Sequence, residues 1–171
     1  MFKLLIGIVL VAAVATVGDS IWYELGVQHR MTAGIIHGAV LIMAVGGALG
    51  WPANNFKAGL IAGVSSGIAG ALVYYAAAGT LGSQSAMLVA WVAVWMLLAI
   101  AEGQFVRKPR RSWTTTLGSG VIAAVLSGLA FYLVSGKLWG HTSTHNYVRQ
   151  FGYWVIAWAP GLFAIGASRR A

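Results

Sequence analysis

The chain has no cysteine, which excludes disulfides, thiolate metal sites and cysteine nucleophiles. It is also short of charge: Asp, Glu, Lys and Arg make up 8% of its 171 residues, and only three of these are acidic. A soluble domain usually carries about 25% charged residues. Paired catalytic carboxylates and a phosphate-cradling glycine loop are missing as well. Several common hydrolase and nucleotide-binding readings go with them.

What fills the chain is apolar surface, with 59% of residues hydrophobic. One soluble core of this size cannot hide that much. A membrane can, and each helical crossing needs roughly 20 apolar residues. Six apolar segments are visible: Leu4 to Leu25, Thr32 to Leu49, Ala58 to Gly79, Ser85 to Ala101, Trp113 to Val134 and Val148 to Ala167. None alternates polar and apolar residues with period two, so a barrel is not expected. Peptide groups in lipid must bond internally, so each segment is expected to be helical. Trp51-Pro52-Ala53-Asn54-Asn55, Gly79 to Ser83, Arg107 to Arg111 and Gly136 to Asn146 punctuate the segments. The length leaves no room for a separate soluble domain. The first segment resembles a signal peptide up to Ala13-Val14-Ala15, but it continues through Ile21-Trp22-Tyr23 and is read as a retained helix.

The net charge of +8 comes from loops rather than from a nucleic-acid-binding pattern. With six crossings, one side holds Lys3, Lys57, Arg107, Lys108, Arg110, Arg111, Arg169 and Arg170; the other holds Arg30, Lys137 and Arg149. The expectation is therefore an all-α six-transmembrane-helix bundle, residues 1–171, with both termini cytoplasmic. Gly59, Gly63 and Gly67 recur every four residues on the third segment, and Gly34/Gly38 and Gly46/Gly50 on the second. Such stripes let helix backbones approach closely, inside the bundle or at a dimer seam.

Few residues can carry chemistry. Asp19 lies near the outer end of the first helix, where a carboxylate is costly unless paired, wetted or protonated. It either lines a polar cavity mouth or is solvated at headgroup level. Glu102 precedes the basic cluster and is read as a local ion pair. His37 lies inside the second helix, where it either bonds a neighbouring helix or reaches a ligand. His29, His141 and His145 gather on the outer side with Asp19 and Glu24, a combination able to make a His/carboxylate metal site. Thr142 stands where the metalloprotease pattern needs Glu. No cofactor is expected. Ser65 and Ser66 are hydroxyl candidates. Trp91 and Trp95, like Trp154 and Trp158, are four apart and share a helix face, either as core or as the wall of an apolar ligand site.

Several motifs, in order, resemble the Insig (insulin-induced-gene) family and its bacterial relatives. Trp51-Pro52-Ala53-Asn54-Asn55 is similar to that family's Tyr-Pro-x-x-Asp. Phe105-Val106-Arg107 with the basic run and Ser112 is similar to its Phe-Asp-Arg-Ser-Arg-Ser. Tyr147-Val148-Arg149 is similar to its Tyr-Ile-Arg, and Gly166 with Arg169 to its closing glycine and arginine. The resemblance implies six helices, cytoplasmic termini, a bacterial inner-membrane location and a cavity for a diacylglycerol- or sterol-like lipid. Asn55 and Val106 replace the family's two aspartates, and the loss of the first speaks against a Scap-type partner. The expected function is non-enzymatic binding of a membrane lipid, with a homo-oligomer allowed. The expected ligand residues are His37, Asp19, Ser65, Ser66, Trp91 and Trp95. A small-molecule transporter or channel, and an enzyme with an outer-face His/Asp/Glu metal site, are the alternatives.

Overall fold

A computed structural model describes residues 1–26, 31–138 and 146–167. Its helices are α1 (Phe2–Glu24), α2 (Met31–Gly50), α3 (Phe56–Leu81), α4 (Ser83–Ala101), α5 (Trp113–Leu138) and α6 (Tyr147–Ala167). A single π-helical turn, Glu102–Val106, continues α4. The described residues contain no strand. Five helices are long and apolar enough to cross a bilayer, and the chain is a multi-pass integral membrane protein. The sixth, α6, opens with Arg149 and Gln150 and contains Pro160, which lowers its average hydropathy.

The breaks between helices have local causes. Pro52 follows the end of α2, and Asn54 adopts φ 54°, a left-handed conformation that asparagine tolerates. Only Gly82 separates α3 from α4, and its φ of 74° suits a residue without a Cβ.

Each helix packs against its neighbours in sequence, and α6 returns to α1, so the six close into a ring. The α2–α3 seam is the tightest. A Cβ on Gly46 would strike the backbone of Gly59 and Gly63, and one on Gly63 would strike Ile42 and Met43. The glycine stripes therefore serve packing inside the bundle. Leu5, Val9 and Val17 on α1, and Val121, Val125 and Leu129 on α5, are exposed on the outside of the ring. In lipid this is the expected surface, because acyl chains solvate such side chains as well as a protein core does.

Three hydrogen bonds tie one end of the ring together. Lys3 Nζ donates to Asn54 Oδ1 (3.2 Å), Asn55 Nδ2 to the Val106 carbonyl (3.0 Å), and an Arg111 guanidinium nitrogen to the Ile165 carbonyl (2.9 Å). The start of α1, the α2–α3 and α4–α5 connections and the end of α6 thus share this end, here called the base. Val45, Leu49, Trp95, Leu98, Leu162 and Ile165 fill the ring just above it.

Candidate functional site

Towards the opposite end the ring is not filled. A cavity of about 310 Å³ lies there, and every helix contributes to its wall. From α1 come Asp19 and Trp22; from α2, Gly34, His37, Gly38, Leu41 and Ile42. Gly67, Gly70, Ala71, Tyr74 and Tyr75 of α3 follow at helical spacing. Trp91 and Val94 of α4, Phe131 of α5, and Trp154 and Trp158 of α6 complete the aromatic side.

The floor is a slab of stacked rings. Trp91 lies between Phe131 (centroids 4.2 Å, 19° between planes) and Trp158 (4.6 Å, 25°). Trp154 stacks in turn on Trp158 at 5.7 Å and 17°. Stacked arrangements of this kind add to the area that the rings bury. Trp95 is fully buried behind the slab, its six-membered ring resting on Gly161, where a Cβ has no room. Pro160 leaves α6 one backbone donor short, and Ser127 Oγ donates to the carbonyl of Ala157 beside it. That bond holds α5 against the slab.

A polar cluster forms part of the wall. Asp19 Oδ2 accepts from Gln150 Nε2 and Trp154 Nε1, both at 3.0 Å, and Asp19 Oδ1 lies 3.3 Å from His37 Nε2. Trp22 covers the imidazole at 4.8 Å. The carboxylate side chain is 12% exposed. Three donors from α2 and α6 solvate it in place of water, which is what an acid inside a membrane protein requires. Together they draw α1, α2 and α6 into one corner of the ring.

Glu102, at the base, is treated differently. It is 1% exposed, with Arg107 Nε 3.1 Å from Oε1 and an Arg111 nitrogen 3.3 Å from Oε2. This is an ion pair, as expected, but buried and with two guanidiniums. Gln104 of the π-helical turn donates to the Arg111 carbonyl and to Thr116 Oγ1, at 3.1 and 3.0 Å, which fixes the same corner.

Of the residues singled out in the sequence, Asp19, His37, Trp91, Trp154 and Trp158 line the cavity. Trp95 is one layer behind it. Ser66 is buried but outside the lining, and Ser65 faces outward. The reason is helical phase: the lining face of α3 runs through Gly67, Gly70, Ala71 and Tyr74, and Ser65 lies off that face. Tyr74, Tyr75, Trp22 and Gln150 belong to the site and were not singled out. The one signal for Gln150 was an amide at the start of an otherwise apolar helix. His29, His141 and His145 lie outside the described residues; among those described, no group of three His, Asp or Glu residues can hold a metal. Comparison with protein families, with curated proteins and with solved structures gives no match for this chain.

Proposed function

We propose that this is a non-enzymatic lipid-binding or lipid-sensing protein of the bacterial inner membrane, with α6 as a sixth crossing and both termini cytoplasmic. The orientation follows from the sequence count for six crossings, eight Lys and Arg residues on the side of Lys3, Lys57 and the Arg107 to Arg111 run against three on the other. The base then faces the cytoplasm, and the cavity lies in the outer half of the bilayer.

One observation carries the reading: a cavity inside the ring, mostly aromatic and aliphatic, with a solvated carboxylate and an imidazole in its wall. Ligand sites have this character, an apolar volume with a few fixed polar groups. At 310 Å³ the cavity has room for roughly ten water-sized groups. It takes the polar end and the adjoining part of a diacylglycerol- or sterol-like molecule, and the remaining chain extends outside. Burial against lipid contributes little, because acyl chains are as apolar as the slab. Selection rests on shape and on Asp19 and His37.

The resemblance to the Insig family supports the same use of the fold. Asn55 and Val106, which stand in for that family's aspartates, bond to each other at the base, well removed from the cavity. The test is mass spectrometry of lipid co-purified with the full chain. Enrichment of one lipid class over the host membrane is expected; bulk composition would count against the proposal. Transport is less favoured, since the tryptophan slab and the core above the base block a path through the ring.

A further inference from the structure

We infer that the cavity selects a ligand whose buried end is a single organic ammonium, held by Asp19 within an aromatic lining. This rests on the cavity being a binding site, as proposed above, and departs from that reading in the head group, an ammonium in place of the hydroxyl of a diacylglycerol or sterol.

The first observation is charge. Among the described residues that line the cavity, Asp19 is the one Asp or Glu, and no Lys or Arg is present. Two of its partners, Gln150 and Trp154, are neutral. Their hydrogen bonds solvate the carboxylate without cancelling its charge. His37 Nε2 lies 3.3 Å from Oδ1. Glu102, by contrast, meets two permanent positive charges.

The second observation is what surrounds that charge. Trp22, Tyr74, Tyr75, Trp91, Phe131 and Trp158 line the same cavity. Trp91 and Trp158 spend their faces on the stack, and Trp158 is fully buried, so the slab closes the floor and presents no open π face. The aromatic side chains of the lining outside the slab are Trp22, Tyr74 and Tyr75. An aromatic lining with one carboxylate suits an alkylated ammonium, whose methyl groups pack on carbon while its charge meets the acid. A phosphate or carboxylate head would meet Asp19 with like charge. A purely apolar chain would leave the carboxylate without a counter-ion. A volume of about 310 Å³ matches an ammonium with one ring or a short chain attached.

The ammonium can belong to a free cation or to the head of a membrane amphiphile, and two probe pairs separate these. Benzyltrimethylammonium is compared with neopentylbenzene, its uncharged carbon isostere, by quenching of tryptophan fluorescence in the detergent-solubilised full chain. Dodecyltrimethylammonium is compared with its carbon isostere in the same way. The wild-type chain is expected to prefer the charged member at least tenfold in one pair or both. Preference in the benzyl pair identifies a free cation as sufficient, and preference in the dodecyl pair alone identifies an amphiphile. Asp19→Asn is expected to abolish the preference. The wild-type comparison stands without that variant, should it fold poorly. Equal binding within both pairs, or binding of neither charged probe, overturns the inference. If a co-purified lipid class is still enriched in that case, the lipid-binding proposal stands alone. A charge preference without lipid enrichment leaves the opposite result.

Discussion

Glu102 and Asp19 are carboxylates at opposite ends of one bundle, and each is solvated by the protein rather than by bulk water. Glu102 is 1% exposed and faces Arg107 and Arg111, whose charges are permanent. Asp19 is 12% exposed and faces an imidazole, an amide and an indole, beside a cavity. The first arrangement is closed: charge is balanced, and the guanidinium of Arg111 reaches on to the end of α6. The second is open, with donors that hold the carboxylate in place while its charge still faces the cavity. The difference teaches which acid locks the fold and which one is available to a ligand.

The largest expected effect breaks the closed end. Glu102→Gln keeps the shape but leaves the buried Arg111 guanidinium and the half-buried Arg107 without their carboxylate, a loss of about 3–5 kcal/mol for a broken buried pair. A denaturant titration in detergent, followed by tryptophan fluorescence, measures it. A smaller effect is expected at the tight glycine seam beside the base. Gly46→Ala places a methyl group against the Gly59 carbonyl and the Gly63 backbone, neither of which can rotate away. Separation of α2 from α3 is expected to cost about 1–3 kcal/mol in the same titration.

These contrasts were only partly legible in the sequence. Five of the six apolar segments lie within the observed helices and the first passes the end of α1 by one residue, Leu25; α5 runs on past Val134 to Leu138. Pro52, Gly82 and the basic run interrupt hydropathy sharply enough to mark the helix ends. The glycine spacing also marked a close helix contact, but not whether it lay inside the bundle or between two copies. The phase of each helix was hidden. Every helix is apolar around most of its circumference, so no polar stripe says which side faces inward, and Ser65 could not be told from an inward hydroxyl. The meeting of Asp19 with Gln150 was hidden too, since 131 residues separate them and only closure of the ring brings α6 to α1.

At the open end, stability and binding are expected to separate. Hydrogen bonds inside membrane proteins average about 0.6 kcal/mol, so Asp19→Asn is expected to cost about 1 kcal/mol or less in stability. Its retention of the co-purified ligand is expected to fall at least tenfold, read by native mass spectrometry. A loss of stability as large as that of Glu102→Gln would erase the distinction between the two acids. The smallest effect is expected for Gly38→Ala. A Cβ there meets the Gly67 carbonyl at 3.5 Å and the Ala71 methyl at 3.6 Å, both ordinary contacts. Stability should change by about 0.5 kcal/mol or less, as for an ordinary tolerated substitution. Gly38 also lines the cavity, so the added methyl tests how closely a ligand fits. Weaker ligand retention with unchanged stability is the expected pattern.

The most direct measurement is an experimental structure of the full chain in lipid nanodiscs made from its native membrane. The expected result is density inside the ring, above the Trp91–Trp158 slab, with its polar end about 3 Å from an Asp19 oxygen. Lipid density confined to the outer faces of the helices, with the space beside Asp19 filled by protein, would contradict it.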